Sequence, residues 1–192
     1  FTRSESMLTL GELVESGDLE EEKIEVRAAQ LGYSLETWDI VDQSVAGFKM
    51  VRQEGASRVE HRQLIGLRIP RGERLLLAEI SWLQYRHDGS LSAGISVLPS
   101  PPAVAAVRIT GHERGTRDQY RLGFIIPPVP ALKTNISMLI PAGWFQSDRR
   151  LAVQVDGITW QARLEKLVSR GANFDRVSFV REELPGGRAG MP

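Results

Sequence analysis

Short runs of β-forming residues, separated by Gly, Pro and Asp turns, are the feature that most constrains this chain. They follow one another from Glu36 to Val180, as in a chain of many strands and short loops. The longest run spans Arg74 to Tyr85. Its alternate residues from Leu76 onward are all apolar: Leu76, Ala78, Ile80 and Trp82. Alternate residues of a strand face the same side of a sheet. The pattern predicts an all-β fold with these four side chains in a core and Trp82 largely buried.

The runs fall into two groups. Pro99, Pro101 and Pro102 interrupt the apolar pattern, because proline lacks a backbone donor and fixes φ. We place the boundary between the two units within residues 99–118. The first barrel spans residues 33–110 and ends with an edge strand from Val104 to Ile109. A second small β-barrel spans residues 118–182. We expect separate cores. Trp38 and Trp82 should belong to the first core or its rim, and Trp144 and Trp160 to the second.

The two ends of the chain differ from the barrels. Residues 1–32 form an acidic lead, with five acidic side chains between Asp18 and Glu25, and we expect a short helix or a solvated linker there. Residues 183–192 are rich in Gly and Pro, which predicts a disordered tail. Because the chain begins with Phe1, we expect a fragment of a longer protein.

Composition narrows the class of protein. The 24 basic and 24 acidic side chains cancel, so there is no global field to attract nucleic acid or an anionic membrane. The chain has no cysteine, which excludes disulfides, thiolate metal sites and a cysteine nucleophile. The apolar runs are too short to span a bilayer. We expect a cytoplasmic protein with no membrane insertion and no nucleic-acid partner.

Nothing in the sequence predicts catalysis or a cofactor. His61, His87 and His112 are far apart and lack metal-ligand spacing. The chain has no Gly-x-Ser-x-Gly elbow. Glu79 lies in an apolar strand but on its more polar parity, which is typical of a solvated face. We therefore expect a binding module and no enzyme.

The segment from Asp42 to Gly47 is the one local pattern that could carry a site. It reads Asp-Gln-Ser-Val-Ala-Gly between two β runs. Asp and Ser side chains often bond backbone groups of a tight turn, and Gly47 permits close approach of another group. By spacing alone, a structural hairpin connection explains these residues. The functional alternative is that Asp42, Ser44 and Gly47 meet a ligand held over the barrel.

The Asp-x-Ser-x-x-Gly pattern is followed by a hydrophobic strand that ends at Trp82 and by Gly94 and Ile95 at the start of the next strand. Together these features resemble a PilZ domain over residues 33–109. The resemblance implies a six-stranded antiparallel barrel, a bacterial regulatory role and cyclic di-GMP as ligand. It also implies an upstream Arg-x-x-x-Arg motif that grips the nucleotide, and arginine suits this because its planar fork binds phosphate bidentately.

That upstream motif is incomplete in this chain. Arg27 is the only basic residue between Lys23 and Lys49, and four residues after it stands Leu31. Either the domain binds no nucleotide, or the arginines precede Phe1. The segments 138–145 and 171–176 are similar to the C-terminal part of larger proteobacterial PilZ-containing proteins.

These observations predict a regulatory module that acts through protein contacts, with Asp42, Ser44, Gly47 and Arg27 as the ligand-binding candidates. The alternative is a structural or scaffold domain that binds no nucleotide. An RNA-binding barrel has slight support from Phe48, Lys49 and Arg52, but the neutral charge argues against it.

Overall fold

A computed structural model describes residues 33–53, 58–69, 75–110 and 119–182. The described residues form eleven strands and one short 3₁₀ helix, which confirms the all-β fold. The acidic lead, Arg27 and the Gly- and Pro-rich tail lie outside the described residues. Among the residues that are described, no helix has the length and apolar character needed to cross a membrane.

Five strands form the N-terminal sheet: β1 (Asp39–Ser44), β2 (Gly47–Arg52), β3 (Leu64–Arg68), β4 (Leu75–Tyr85) and β5 (Leu91–Val97). Their spatial order is β1-β2-β5-β4-β3, and every neighbouring pair is antiparallel. Residues 45 and 46 make the tight turn between β1 and β2. The order therefore places β2 and β4 on either side of β5, with β1 and β3 at the edges.

Six further strands close into a barrel: β6 (Ala103–Ile109), β7 (Arg121–Ile126), β8 (Ser137–Pro141), β9 (Arg150–Val155), β10 (Ile158–Arg170) and β11 (Phe174–Glu182). Their order is β10-β11-β8-β7-β6-β9, and β9 pairs with β10 to complete the ring. Asp156 and Gly157 form the tight turn that joins β9 to β10, with φ of 48° and 77°. Positive φ at both central residues matches a type I′ turn.

Strand β6 differs from the sequence prediction. We expected residues 104–109 at the edge of the first barrel, where they would have given it a sixth strand. Instead β6 pairs with β7 and with β9. Closing the second barrel requires this strand, since without it β7 and β9 would both be open edges. The closed six-stranded barrel is therefore the C-terminal unit, and the described residues of the N-terminal unit form a five-stranded sheet.

Each unit has an apolar core, and a third apolar cluster joins them. The barrel interior includes Trp160, with Trp144 packed against it. One face of the N-terminal sheet is built around Ile80 and Ile95, with Trp38 packed against it. The third cluster brings Leu77 of β4 against the outside of the barrel, where it meets Phe124, Ile126, Leu139 and Phe174. The two cores are thus distinct, as the sequence predicted, but the units also share a buried interface.

Trp82 does not face the core, and a β-bulge is the reason. Ile80 pairs with Ile95 and Trp82 with Gly94, so Ser81 is an extra residue in β4. An extra residue reverses the alternation of all side chains that follow it. Leu83 consequently packs against the core, while Trp82 points to the opposite side and is 39% exposed. The prediction that Trp82 is largely buried was wrong.

Candidate functional site

An open cavity of about 310 Å³ lies where the β1–β2 turn meets β5 and β4. The polar residues of its lining are Asp42, Gln43, Ser44, Lys49, Ser81 and Ser96, and the aromatic ones are Phe48 and Trp82. Gly47 lines it as well. Three of the four residues singled out in the sequence, Asp42, Ser44 and Gly47, thus lie together, and the fourth, Arg27, is outside the described residues.

The turn residues make local contacts that shape the hairpin. The Ser44 hydroxyl donates to the carbonyl oxygen of Gly47 at 3.3 Å. The backbone N–H of Gln43 donates to Oδ1 of Asp42 at 2.8 Å. A Cβ on Gly47 would lie 1.8 Å from the carbonyl oxygen of Ile95, so only glycine fits where β2 meets β5. Packing alone accounts for Gly47, whereas the side chains of Asp42 and Ser44 also line the cavity.

Trp82 supplies an aromatic wall that the sequence prediction missed. A Cβ on Gly94 would lie 2.0 Å from Nε1 of Trp82, so the indole rests directly on the backbone of β5. Trp82 is 39% exposed and is one of the residues that line the cavity. Glycine inside a strand often marks such a close approach, and Gly94 was the signal in the sequence that could have located this contact.

The charge of the cavity is balanced. Asp42 lies directly across from Lys49 in the β1–β2 pairing, and these two are the ionisable side chains among the lining residues. Arg52 is on the other side of the sheet, where its guanidinium lies 5.1 Å from the ring centre of Trp38 and contacts the Glu36 carboxylate. Lys49 is therefore the one cation that the described lining offers to an anionic ligand.

A second group of charges lies on the outside of the barrel. Glu182 accepts hydrogen bonds from Nε of Arg150 at 2.9 Å and from Nε of Arg163 at 3.0 Å. The hydrogen bond from Arg150, together with the nearby charges of Arg150 and Arg163, holds the pKa of Glu182 below its ordinary value. Hydrogen bonds to Asp148 and Glu182 raise the pKa of Arg163. This group ties β9, β10 and β11 together at the surface.

Asp175 is a fully buried carboxylate at one end of the barrel. Its Oδ2 accepts from the backbone N–H of Phe145 at 3.1 Å, and its Oδ1 accepts from Nε of Arg170 at 3.0 Å. It therefore fixes the loop after β8. In the described ranges no three His, Asp or Glu side chains gather as metal ligands would.

The geometry defines a two-part all-β protein, an antiparallel sheet with an open cavity and a closed six-stranded barrel. Residues 105–181 match the family described as the FimW C-terminal beta-barrel domain. The matched span runs from β6 into β11. Neither a curated protein nor a solved structure matched the chain. The cavity lies in the N-terminal sheet, outside the matched residues.

Proposed function

We propose that this chain is a cytoplasmic bacterial regulatory module that acts through protein contacts, with a PilZ-like ligand cavity in its N-terminal sheet. One observation carries the proposal: the residues of the Asp-x-Ser-x-x-Gly pattern share a cavity with an aromatic wall, in a chain whose barrel is similar to a FimW domain. The proposal involves no catalytic step.

The lining is better suited to a base than to phosphates. An exposed indole can stack on a nucleobase, an interaction worth about 1–3 kcal/mol, and Asp42 can accept hydrogen bonds from the N–H groups of a guanine. Cyclic di-GMP is a dianion, however, and its phosphates call for cations. Each charge-assisted hydrogen bond is worth about 1.5–3 kcal/mol, and the paired arginines of the PilZ pattern are missing from this sequence.

We therefore expect cyclic di-GMP to bind this chain weakly or not at all, with a Kd in the millimolar range or above. Losing two arginine contacts weakens binding by roughly a hundredfold or more, since each 1.4 kcal/mol is about tenfold. Calorimetric titration of the chain with cyclic di-GMP measures this directly. Saturation at micromolar concentration would overturn the expectation and would mean that further cations converge on the cavity.

A scaffold that binds no nucleotide is the competing function, and the same ligand separates the two. At millimolar cyclic di-GMP, a binding cavity should change the fluorescence of Trp82, and Asp42→Asn, which keeps only one of the two acceptor oxygens, should reduce the change. Asp156→Asn, in the distant β9–β10 turn, is the matched control and should leave the change intact. If the parent protein gives no change at millimolar cyclic di-GMP, this nucleotide is not the ligand of the cavity, and the scaffold function is supported.

A further inference from the structure

The tip of the β10–β11 hairpin of the barrel lies against β3, the edge of the N-terminal sheet. The side-chain amide of Asn173 accepts from the backbone N–H of Leu64 at 2.8 Å and donates to the carbonyl oxygen of Leu64 at 3.1 Å. The N–H of Ala172 donates to the carbonyl oxygen of Arg62 at 2.9 Å. These are the kinds of bonds that a neighbouring strand would make to this edge.

The approach between the two units is close. A Cβ on Gly171 would lie 2.4 Å from the carbonyl oxygen of Arg62. Directly beside the tip, Phe174 is buried in the cluster that also contains Leu77. Because both polar and apolar contacts meet at the tip, its position and the position of residues 62–64 are fixed together.

Residues 62 and 63 in turn hold β4 immediately before its bulge. The N–H of Arg62 donates to the carbonyl oxygen of Ile80 at 2.8 Å, and the N–H of Ile80 donates to the carbonyl oxygen of Gln63 at 3.0 Å. Nε of Arg62 also pairs with Oε1 of Glu79 at 2.9 Å. Arg62 adopts a left-handed backbone conformation, with φ of 62°. Residues other than glycine rarely adopt this conformation unless the surrounding structure holds them in it.

Ser81, the bulge residue that turns Trp82 into the cavity, follows Ile80 directly. We propose that Asn173 is a positioning residue for the candidate site: through the backbone of residues 62–64, the barrel sets the bulge and thereby the orientation of Trp82. That Trp82 belongs to a ligand site rests on the proposed function, but the positioning does not. Coupling between two places is reciprocal, so a ligand seated on Trp82 would also strengthen the docking of the hairpin tip on β3.

Fluorine NMR of protein labelled with 5-fluorotryptophan tests the proposal without any ligand. The chain has four tryptophans, whose resonances are assigned by single Trp→Phe variants. Asn173→Ala should shift or broaden the Trp82 resonance and leave that of Trp160, in the barrel core, in place. Asn135→Ala makes the same chemical change at an exposed barrel residue and should shift neither.

A Trp82 resonance that is the same in Asn173→Ala as in the parent protein would overturn the proposal. If Asn173→Ala also displaces the Trp160 resonance, the barrel itself is disturbed, and Asn173→Asp then decides. A carboxylate keeps the acceptor for the N–H of Leu64 but places a charged oxygen where the amide donated to the carbonyl oxygen of Leu64, so the Trp82 resonance should still move, with Trp160 unmoved. A Trp82 resonance at its parental position in Asn173→Asp would also overturn the proposal. Failure here leaves the cyclic di-GMP titration unaffected, so the two proposals fail separately.

Discussion

Truncating Trp82 should destabilise the protein much less than truncating Trp160. The two indoles have opposite surroundings. Trp160 is 8% exposed, stacks on Phe179 with a centroid distance of 5.6 Å, and has the guanidinium of Arg181 5.1 Å from its ring centre. Trp82 is 39% exposed and lies on the backbone of Gly94 at an open cavity. The sequence alternation, in contrast, predicts that Trp82 is a core residue like Trp160.

The expected difference follows from the exposed fractions. A tryptophan side chain buries up to roughly 250 Å², so the difference in exposure corresponds to roughly 75 Å². At about 25 cal/mol per Å², this area is worth about 2 kcal/mol. The cavity left by Trp160→Ala adds to its cost, and core Trp→Ala substitutions typically cost about 3–5 kcal/mol. Trp82→Ala leaves only a wider opening to solvent, because the ring lies at the surface.

Urea unfolding of Trp82→Ala, Trp160→Ala and the parent protein, followed by far-UV circular dichroism, measures both costs under the same conditions. We expect the free energy of unfolding to fall by at least about 2 kcal/mol more in Trp160→Ala than in Trp82→Ala. Comparing two variants of one protein removes most of the uncertainty about the unfolded chain. An equal or larger loss in Trp82→Ala would refute the bulge at Ser81 and restore Trp82 to the core.

Two further predictions concern the barrel. Arg150 and Arg163 lower the pKa of Glu182, so the ionised Glu182 stabilises the fold fully above its ordinary pKa of 4.5, and this stabilisation is lost as pH falls through the lower folded-state pKa. Glu182→Gln should therefore flatten the decline of Tm below about pH 4.5. An unchanged slope of Tm against pH in thermal scans would contradict this. Asp175→Ala leaves the N–H of Phe145 without its acceptor, which should cost about 1–3 kcal/mol, while Asp175→Asn keeps one acceptor oxygen and should cost less. Thermal unfolding compares the two, and a parental Tm in Asp175→Ala would exclude a stabilising role.

Local patterns predicted the strands, whereas pairing between distant strands decided their arrangement. The Asp156–Gly157 turn was predictable because its signal lies in two adjacent residues. The sequence could not predict which unit β6 joins. The prolines at positions 99, 101 and 102 indicate a break in the strand pattern, but they do not indicate which sheet the next strand pairs with. Partners for β6 come from residues 121–125 and 151–154, and no local pattern encodes that choice.

The candidate site divides in the same way. Asp42, Ser44 and Gly47 lie within one turn, so their spacing alone brought them together. Trp82 and Ser96 join them only because β5 lies between β2 and β4, and Trp82 also depends on a single inserted residue. An apolar strand looks uninterrupted in sequence even where a bulge reverses its faces, which is why alternation placed Trp82 on the wrong side.

The contact between Asn173 and Leu64 spans 109 positions of the chain, and this separation has a consequence for biosynthesis. A ribosome adds about 5–20 residues per second, so β3 is made about 5–20 s before the residue that caps it. During that interval the N-terminal sheet has an open edge of the kind that recruits other strands. The nascent chain is therefore vulnerable to mispairing until the β10–β11 hairpin is complete, and a shortened chain that lacks this hairpin would keep that exposed edge permanently.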